Sequence, residues 1–201
     1  DDFAGIKKLD LKNTGFDGKS FGVQLSDIKL FENFINLQEL HLDFVHVPNQ
    51  KTSSIMALLE QLNIIKPPAS KYIYIDLSPL KNLTKLEILT LVHSEINDIK
   101  PLVFLKNLKE LDISYTEILD IEPLCELPNL EKLTIEPYSI NNLKQITRIK
   151  KLKELNLLGR IDPDAIKYLE KVLPDLKINI ILNENGYNLG TPIIKFPEIT
   201  E

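Results

Sequence analysis

Apolar residues recur along this chain at two nested intervals: they alternate within short stretches, and the whole arrangement repeats every 22 residues through the middle of the chain. The stretches LTKLEILTLVHSEINDIKPL from Leu83, LKNLKELDISYTEILDIEPL from Leu105 and LPNLEKLTIEPYSINNLKQI from Leu127 superpose residue on residue. One column holds Leu86, Leu108, Leu130 and Leu152, a second Leu89, Leu111, Leu133 and Leu155, and a third Leu91, Ile113, Ile135 and Leu157. Three more follow in each unit: Ile96, Ile118 and Ile140; Ile99, Ile121 and Leu143; Leu102, Leu124 and Ile146. The L-x-x-L-x-L piece places two leucines on one face of a short strand. The later apolar residues turn the chain back over the core, and Pro101 and Pro123 stiffen that return by fixing φ. A single unit buries too few aliphatic side chains to offset the ordering of its own backbone. The units must therefore stack, with their strands side by side in a parallel sheet.

The flanks are less regular. Ile6, Leu9 and Leu11 offer a first rung, and Leu37, Leu40 and Leu42 a second. Ser26 stands as the cap of a short helix expected over 27–34, with Ile28, Phe31 and Phe34 on one face. In TSSIMALLEQLNII, Ile55, Leu58, Leu59 and Leu62 follow the spacing of an amphipathic helix near 53–65, with Ser53 in the capping position and Pro67-Pro68 as the stop. YIDLSPL at 74–80 re-enters the register, since Leu77 and Leu80 lie one period before Ile99 and Leu102. Towards the end, Asp162-Pro163 reads as N-cap and first helical residue. Ala165, Ile166, Leu169, Val172 and Leu173 form the expected buried stripe of that helix, and Leu176, Ile178 and Ile180 a last strand. The expected organisation is one array over 1–182, irregular over 1–74, regular over 75–160 and closed by a capping unit over 161–182. The stretch 183–201, with Gly186, Gly190, Pro192 and Pro197, is a tail or linker.

The D-I-x-P-L runs Asp98–Leu102 and Asp120–Leu124, set behind L-x-x-L-x-x-L-x-L, resemble the 22-residue class of leucine-rich repeats found in internalins and in a leucine-rich regulatory subunit of protein phosphatase 1. The close match covers about 75–160. The resemblance implies an α/β leucine-rich-repeat solenoid: a curved parallel sheet on the concave face, short helices or 3-10 turns on the convex face, and the helical insertion near 53–65. It also implies a binding role, at a bacterial surface or secreted if internalin-like, or cytoplasmic if like the phosphatase subunit. The class usually carries Asn in the turn after the strand, where this chain has Ser94, Thr116 and Tyr138. Ser and Thr retain hydroxyls that bond backbone, whereas Tyr138 does not reach in the same way, so a looser turn is expected there.

Residues between the inward leucines face outward from the sheet. They begin with Lys8, Asp10 and Lys12, followed by Glu39, His41, Asp43 and Phe44; Ile88, Thr90, Val92 and His93; and Glu110, Asp112, Ser114 and Tyr115. Lys132, Thr134 and Glu136, then Glu154, Asn156 and Leu158, complete the surface. It is largely acidic around a partly apolar centre of Ile88, Val92, His93 and Tyr115, the pattern of a protein-binding hot spot. Strand surfaces also favour β-branched and aromatic residues for packing alone, and that reading stands beside the functional one.

Charge and composition narrow the partner. With 29 acidic and 24 basic side chains the net charge is −5, which speaks against a nucleic-acid backbone. No stretch approaches the ~20 apolar residues of a membrane span, and no signal-peptide pattern opens these residues. One cysteine, Cys125, leaves no internal disulfide and is expected as a buried or half-buried filler. His41, Asp43 and His46 fall short of a metal ligand set, and no EF-hand or glycine-rich calcium repeat occurs. Ser114 near His93 lacks the pocket and oxyanion donors that hydrolysis needs. No catalytic residue, cofactor or metal is therefore expected. The expected partner is a protein of basic or mixed charge, with a recognition fragment of a larger enzyme or effector as the alternative.

Overall fold

The computed structural model describes residues 3–11, 28–43, 74–136, 143–159, 161 and 163–181. The alternation builds strands β1 (Lys8–Asp10), β2 (Glu39–His41), β3 (Ile88–Thr90), β4 (Glu110–Asp112), β5 (Lys132–Ile135), β6 (Glu154–Leu158) and β7 (Lys177–Ile181). They form one sheet in chain order, every neighbouring pair parallel. The register carries one column straight across it, from Leu9 to Leu40, Leu89, Leu111, Leu133, Leu155 and Ile178.

A second period governs the return path. Leu77, Leu80, Leu83 and Leu86 are spaced by three, as are Ile99, Leu102, Leu105 and Leu108, and Ile121, Leu124, Leu127 and Leu130. Three is the repeat of a 3-10 helix, in which such residues eclipse one another. The chain accordingly forms 3-10 helices at Ser78–Asn82, Lys100–Phe104 and Glu122–Glu126, each with proline in its first two positions. Proline suits that place because its missing N–H would have no partner there. Asp76, Asp98 and Asp120 each accept a hydrogen bond from the backbone N–H two residues on, at 2.8, 2.9 and 3.0 Å. The aspartate of the D-I-x-P-L run is thus an Asx turn that starts the helix. The Ser78 hydrogen bonds hold the Asp76 carboxyl below its ordinary range.

The inward columns form one continuous core. Leu83, Leu105, Leu127 and Ile149 add a further buried column beyond those anticipated. Two side-chain systems tie down the turns on either side of the strands, some of their bonds reaching the preceding rung. After the strand, the Ser94 hydroxyl donates to the Leu42 carbonyl of the preceding rung at 2.9 Å, and Thr116 to Ile113 of its own rung at 2.7 Å. Before the strand, Asn107 donates to the Thr84 carbonyl and Asn129 to that of Lys106, at 2.7 and 2.8 Å.

Three expectations change. The helix expected over 27–34 is a 3-10 helix at Lys29–Asn33, because Ile28, Phe31, Phe34 and Leu37 also recur by three; the first three stay buried as anticipated. The helix Pro163–Val172 starts at its proline as expected and buries Ala165 and Leu169, with Ile166 and Leu173 packed partly buried against the core, but Val172 in its last turn remains 42% exposed. Ile180 lies in β7 yet is 49% exposed, so among the described residues the final strand is not covered. Ser26, the 53–65 helix, Tyr138, Asp162 and the stretch 183–201 lie outside the described residues.

Candidate functional site

The outward positions form parallel rows, because register and side-chain alternation are both constant. The first row runs Lys8, Glu39, Ile88, Glu110, Lys132, Glu154, Lys177. Charges alternate along it and pair across neighbouring strands: Lys8 with Glu39 at 2.5 Å, Lys132 with Glu110 at 3.8 Å and with Glu154 at 3.9 Å, and Lys177 with Glu154 at 3.1 Å. The hydrogen bond from Lys8 holds the Glu39 carboxyl below its ordinary range, and that from Lys177 does the same to Glu154.

The second row, Asp10, His41, Thr90, Asp112, Thr134, Asn156 and Asn179, is mostly neutral, with two carboxylates, and several of its neighbours are hydrogen-bonded to one another. His41 Nδ1 lies 3.0 Å from the Thr90 hydroxyl, the Asn156 side-chain amide donates to the Thr134 hydroxyl at 3.1 Å, and that of Asn179 donates to Asn156 Oδ1 at 2.7 Å. Asp112 accepts from the Ser114 hydroxyl at 2.6 Å and from its backbone N–H at 3.0 Å. The candidate nucleophile Ser114 is therefore 1% exposed and bonded into its own turn. Asp43 is buried too and accepts from the Val92 N–H at 3.1 Å. His41, Glu136 and Asn156 are likewise buried. A shallow depression of about 510 Å³ lies over the middle of the face. Its lining joins Glu39, His41, Ile88, Thr90, Glu110, Asp112, Lys132, Thr134 and Asn156, all anticipated from sequence. Phe44, Lys12 and His46 lie outside the described residues. Ile181 in the lining, and Lys177 and Asn179 in the two rows, were not anticipated, although they are the outward alternates of the inward residues Leu176, Ile178 and Ile180.

Beside the rows, His93 and Tyr115 occupy the same position of successive units. Both have left-handed backbone, φ 54° and 56°, and Gly159, two periods after Tyr115, has φ 98°. Left-handed backbone suits glycine and strains a bulky side chain. The two rings stack, with centroids 4.1 Å apart and planes 2° from parallel. His93 is exposed and Tyr115 half-buried, so aromatic side chains stand at this left-handed position in both units. Cys125 lies on the opposite, returning side, half-buried; burial pushes its thiol up, and its sulfur is 3.4 Å from the Gln145 carbonyl.

Among solved structures, internalin C2 of Listeria monocytogenes matches with TM-score 0.52 and 22% identity, over 93% of this chain and 78% of its own. The fold is a leucine-rich-repeat solenoid like that of the internalins. A second Listeria monocytogenes internalin, internalin F, aligns at TM-score 0.49 and 24% identity over 79% of this chain. A leucine-rich-repeat protein of Leptospira interrogans aligns at 0.49 and 22% over 86%. The solenoid spans 46% and 48% of the lengths of those two chains. No family model matches the sequence, and no curated protein does.

Proposed function

We propose that this leucine-rich-repeat solenoid is a protein-interaction module that binds a partner protein through its sheet face, and does not catalyse a reaction. The observation that carries this reading is the stacked His93–Tyr115 pair, held on left-handed backbone next to the half-buried Val92. Surface aromatic side chains beside aliphatic contacts, with charge around them, are what a partner buries at the centre of an interface. Five carboxylates and three lysines stand on the two rows (Asp10, Glu39, Glu110, Asp112 and Glu154 against Lys8, Lys132 and Lys177), which favours a partner of basic or mixed charge. The same excess of carboxylates disfavours nucleic acid. No helix of the described residues is long and apolar enough to cross a membrane. The fold carries the residues a binding face needs, and Ser114, spent on its own turn, supports binding over hydrolysis.

The test begins with capture of partners from the native source, identification by mass spectrometry, and reconstitution with the purified partner. Tyr115→Ala combined with Val92→Asp is expected to abolish reconstituted binding while the circular dichroism spectrum and melting curve stay those of the parent. A partner that binds the double variant with unchanged affinity places the interface elsewhere.

A further inference from the structure

The first outward row carries a rule and one exception to it. Opposite charges face each other from Lys8 to Glu39 and again from Glu110 through Lys132 to Lys177. The adjoining lane, one residue earlier in each rung, obeys the same rule: Glu87 pairs with Lys109 at 2.7 Å and Glu131 with Lys153 at 2.9 Å. At β3 the alternation calls for a cation between Glu39 and Glu110, and the chain supplies Ile88. Two carboxylates of like charge thus flank an aliphatic side chain, one strand away on either side. Parallel strands lie roughly 4.8 Å apart, so Glu39 and Glu110 are about 10 Å from each other across it. This break sits in the lining of the 510 Å³ depression, so the surface is concave where the charge pattern is incomplete.

We propose that the Ile88 rung receives an arginine or lysine side chain from the partner protein, the occupant that completes the ladder. Its aliphatic stem lies over Ile88, and its cationic end reaches Glu39 on one side and Glu110 on the other. Long basic side chains combine these two surfaces in one residue, an apolar stem and a charged head. A purely apolar occupant would cover Ile88 but leave Glu39 and Glu110 each with a lysine on one side only, Lys8 and Lys132, where Glu154 has one on both. Arginine offers donors to two carboxylates at once. The inference rests on the sheet face being the binding face, and specifies what that face selects.

The full chain, labelled at isoleucine δ1 methyl groups, is titrated by NMR with an acetylated, amidated Ala-Leu-Arg-Leu-Ala peptide. The comparison is the same peptide with citrulline, which keeps the shape and removes the charge. The arginine peptide is expected to shift the Ile88 methyl and saturate, and the citrulline peptide to bind about tenfold more weakly. In Ile88→Lys the row supplies its own cation; the chain is expected to melt no lower than the parent and to lose the arginine preference. Glu110→Gln, which keeps the side-chain volume, is expected to reduce that preference without closing the site. Equal binding of the two peptides, or a saturating shift that leaves the Ile88 methyl unmoved, overturns the proposal, as does an arginine preference undiminished in Ile88→Lys. If the proposal fails while Tyr115→Ala with Val92→Asp still abolishes partner binding, the sheet face stands and only the basic occupant falls.

Discussion

Leu111→Ala measures how strongly the rungs depend on one another. Leu111 lies in β4, 1% exposed, between Leu89 and Leu133 of the same column, each fully buried. The substitution removes three carbons from a site whose walls are held by backbone ladders on both sides, such as Leu91 N–H to the Asp112 carbonyl at 2.9 Å and Ile113 N–H to that of Thr134 at 3.0 Å. Walls fixed in this way close poorly over a cavity, so the cost should fall in the upper part of the usual range for such truncations, about 3–5 kcal/mol. For a chain of this length each kcal/mol moves the melting temperature by roughly 2–4 °C, so a drop of about 6–20 °C is expected. Urea unfolding followed by far-ultraviolet circular dichroism gives the free energy directly, and the slope shows whether the array still unfolds as a unit. Glu110→Ala, one residue earlier and outward, is the control and should lie within about 0.5 kcal/mol of the parent. A loss below about 1 kcal/mol for Leu111→Ala, or a larger loss for Glu110→Ala, would refute the picture of rungs locked in register.

Two further outcomes follow from the backbone and the charges. Gly159→Ala meets no atom within 4 Å of its new Cβ, so any loss reflects the φ of 98° alone; about 1 kcal/mol is expected, and thermal melting that shows no loss would remove the strain assigned to His93 and Tyr115 as well. Glu39, Glu131 and Glu154 are held below their ordinary range by lysine hydrogen bonds, so their contribution is complete above the unfolded-state pKa and is lost as pH falls through the folded values. The melting temperature at low salt should therefore decline as the pH falls below the ordinary glutamate range, less so in high salt, and a flat profile would show that the ladders add nothing to stability.

The repeat was legible because each inward column must be filled on every rung, so the constraint is written at one constant interval. The strands and their shared register follow from the Leu89, Leu111 and Leu133 column alone. The 3-10 helices were partly hidden, because Ile28, Phe31 and Phe34 fit an α-helical face loosely and a period of three closely, and only the fourth member, Leu37, separates the two. The Asx role of Asp98 and Asp120 was present in the repeated run but belongs to backbone geometry, which hydrophobic spacing does not report. The outward residues of the site were legible from alternation, whereas their pairings were not. Glu39 and Glu154 carry lysine partners from neighbouring strands, residues distant in sequence that only the register brings together. The left-handed backbone of His93 and Tyr115 was out of reach for a related reason: glycine at the equivalent Gly159 gives the signal, but only once the position is known to be a turn.

A lattice in which every storey has the same height can be lengthened or shortened by whole storeys. Excising one period around β4 would seat Leu89 directly on Leu133 and leave the interior unchanged, yet it would bring Ile88 beside Lys132 and remove Glu110 from the face. The outward face can thus be rewritten by duplication or deletion of a unit, with little penalty in folding. Natural variants differing by multiples of 22 residues would then be expected to share a scaffold while differing in the side chains they display.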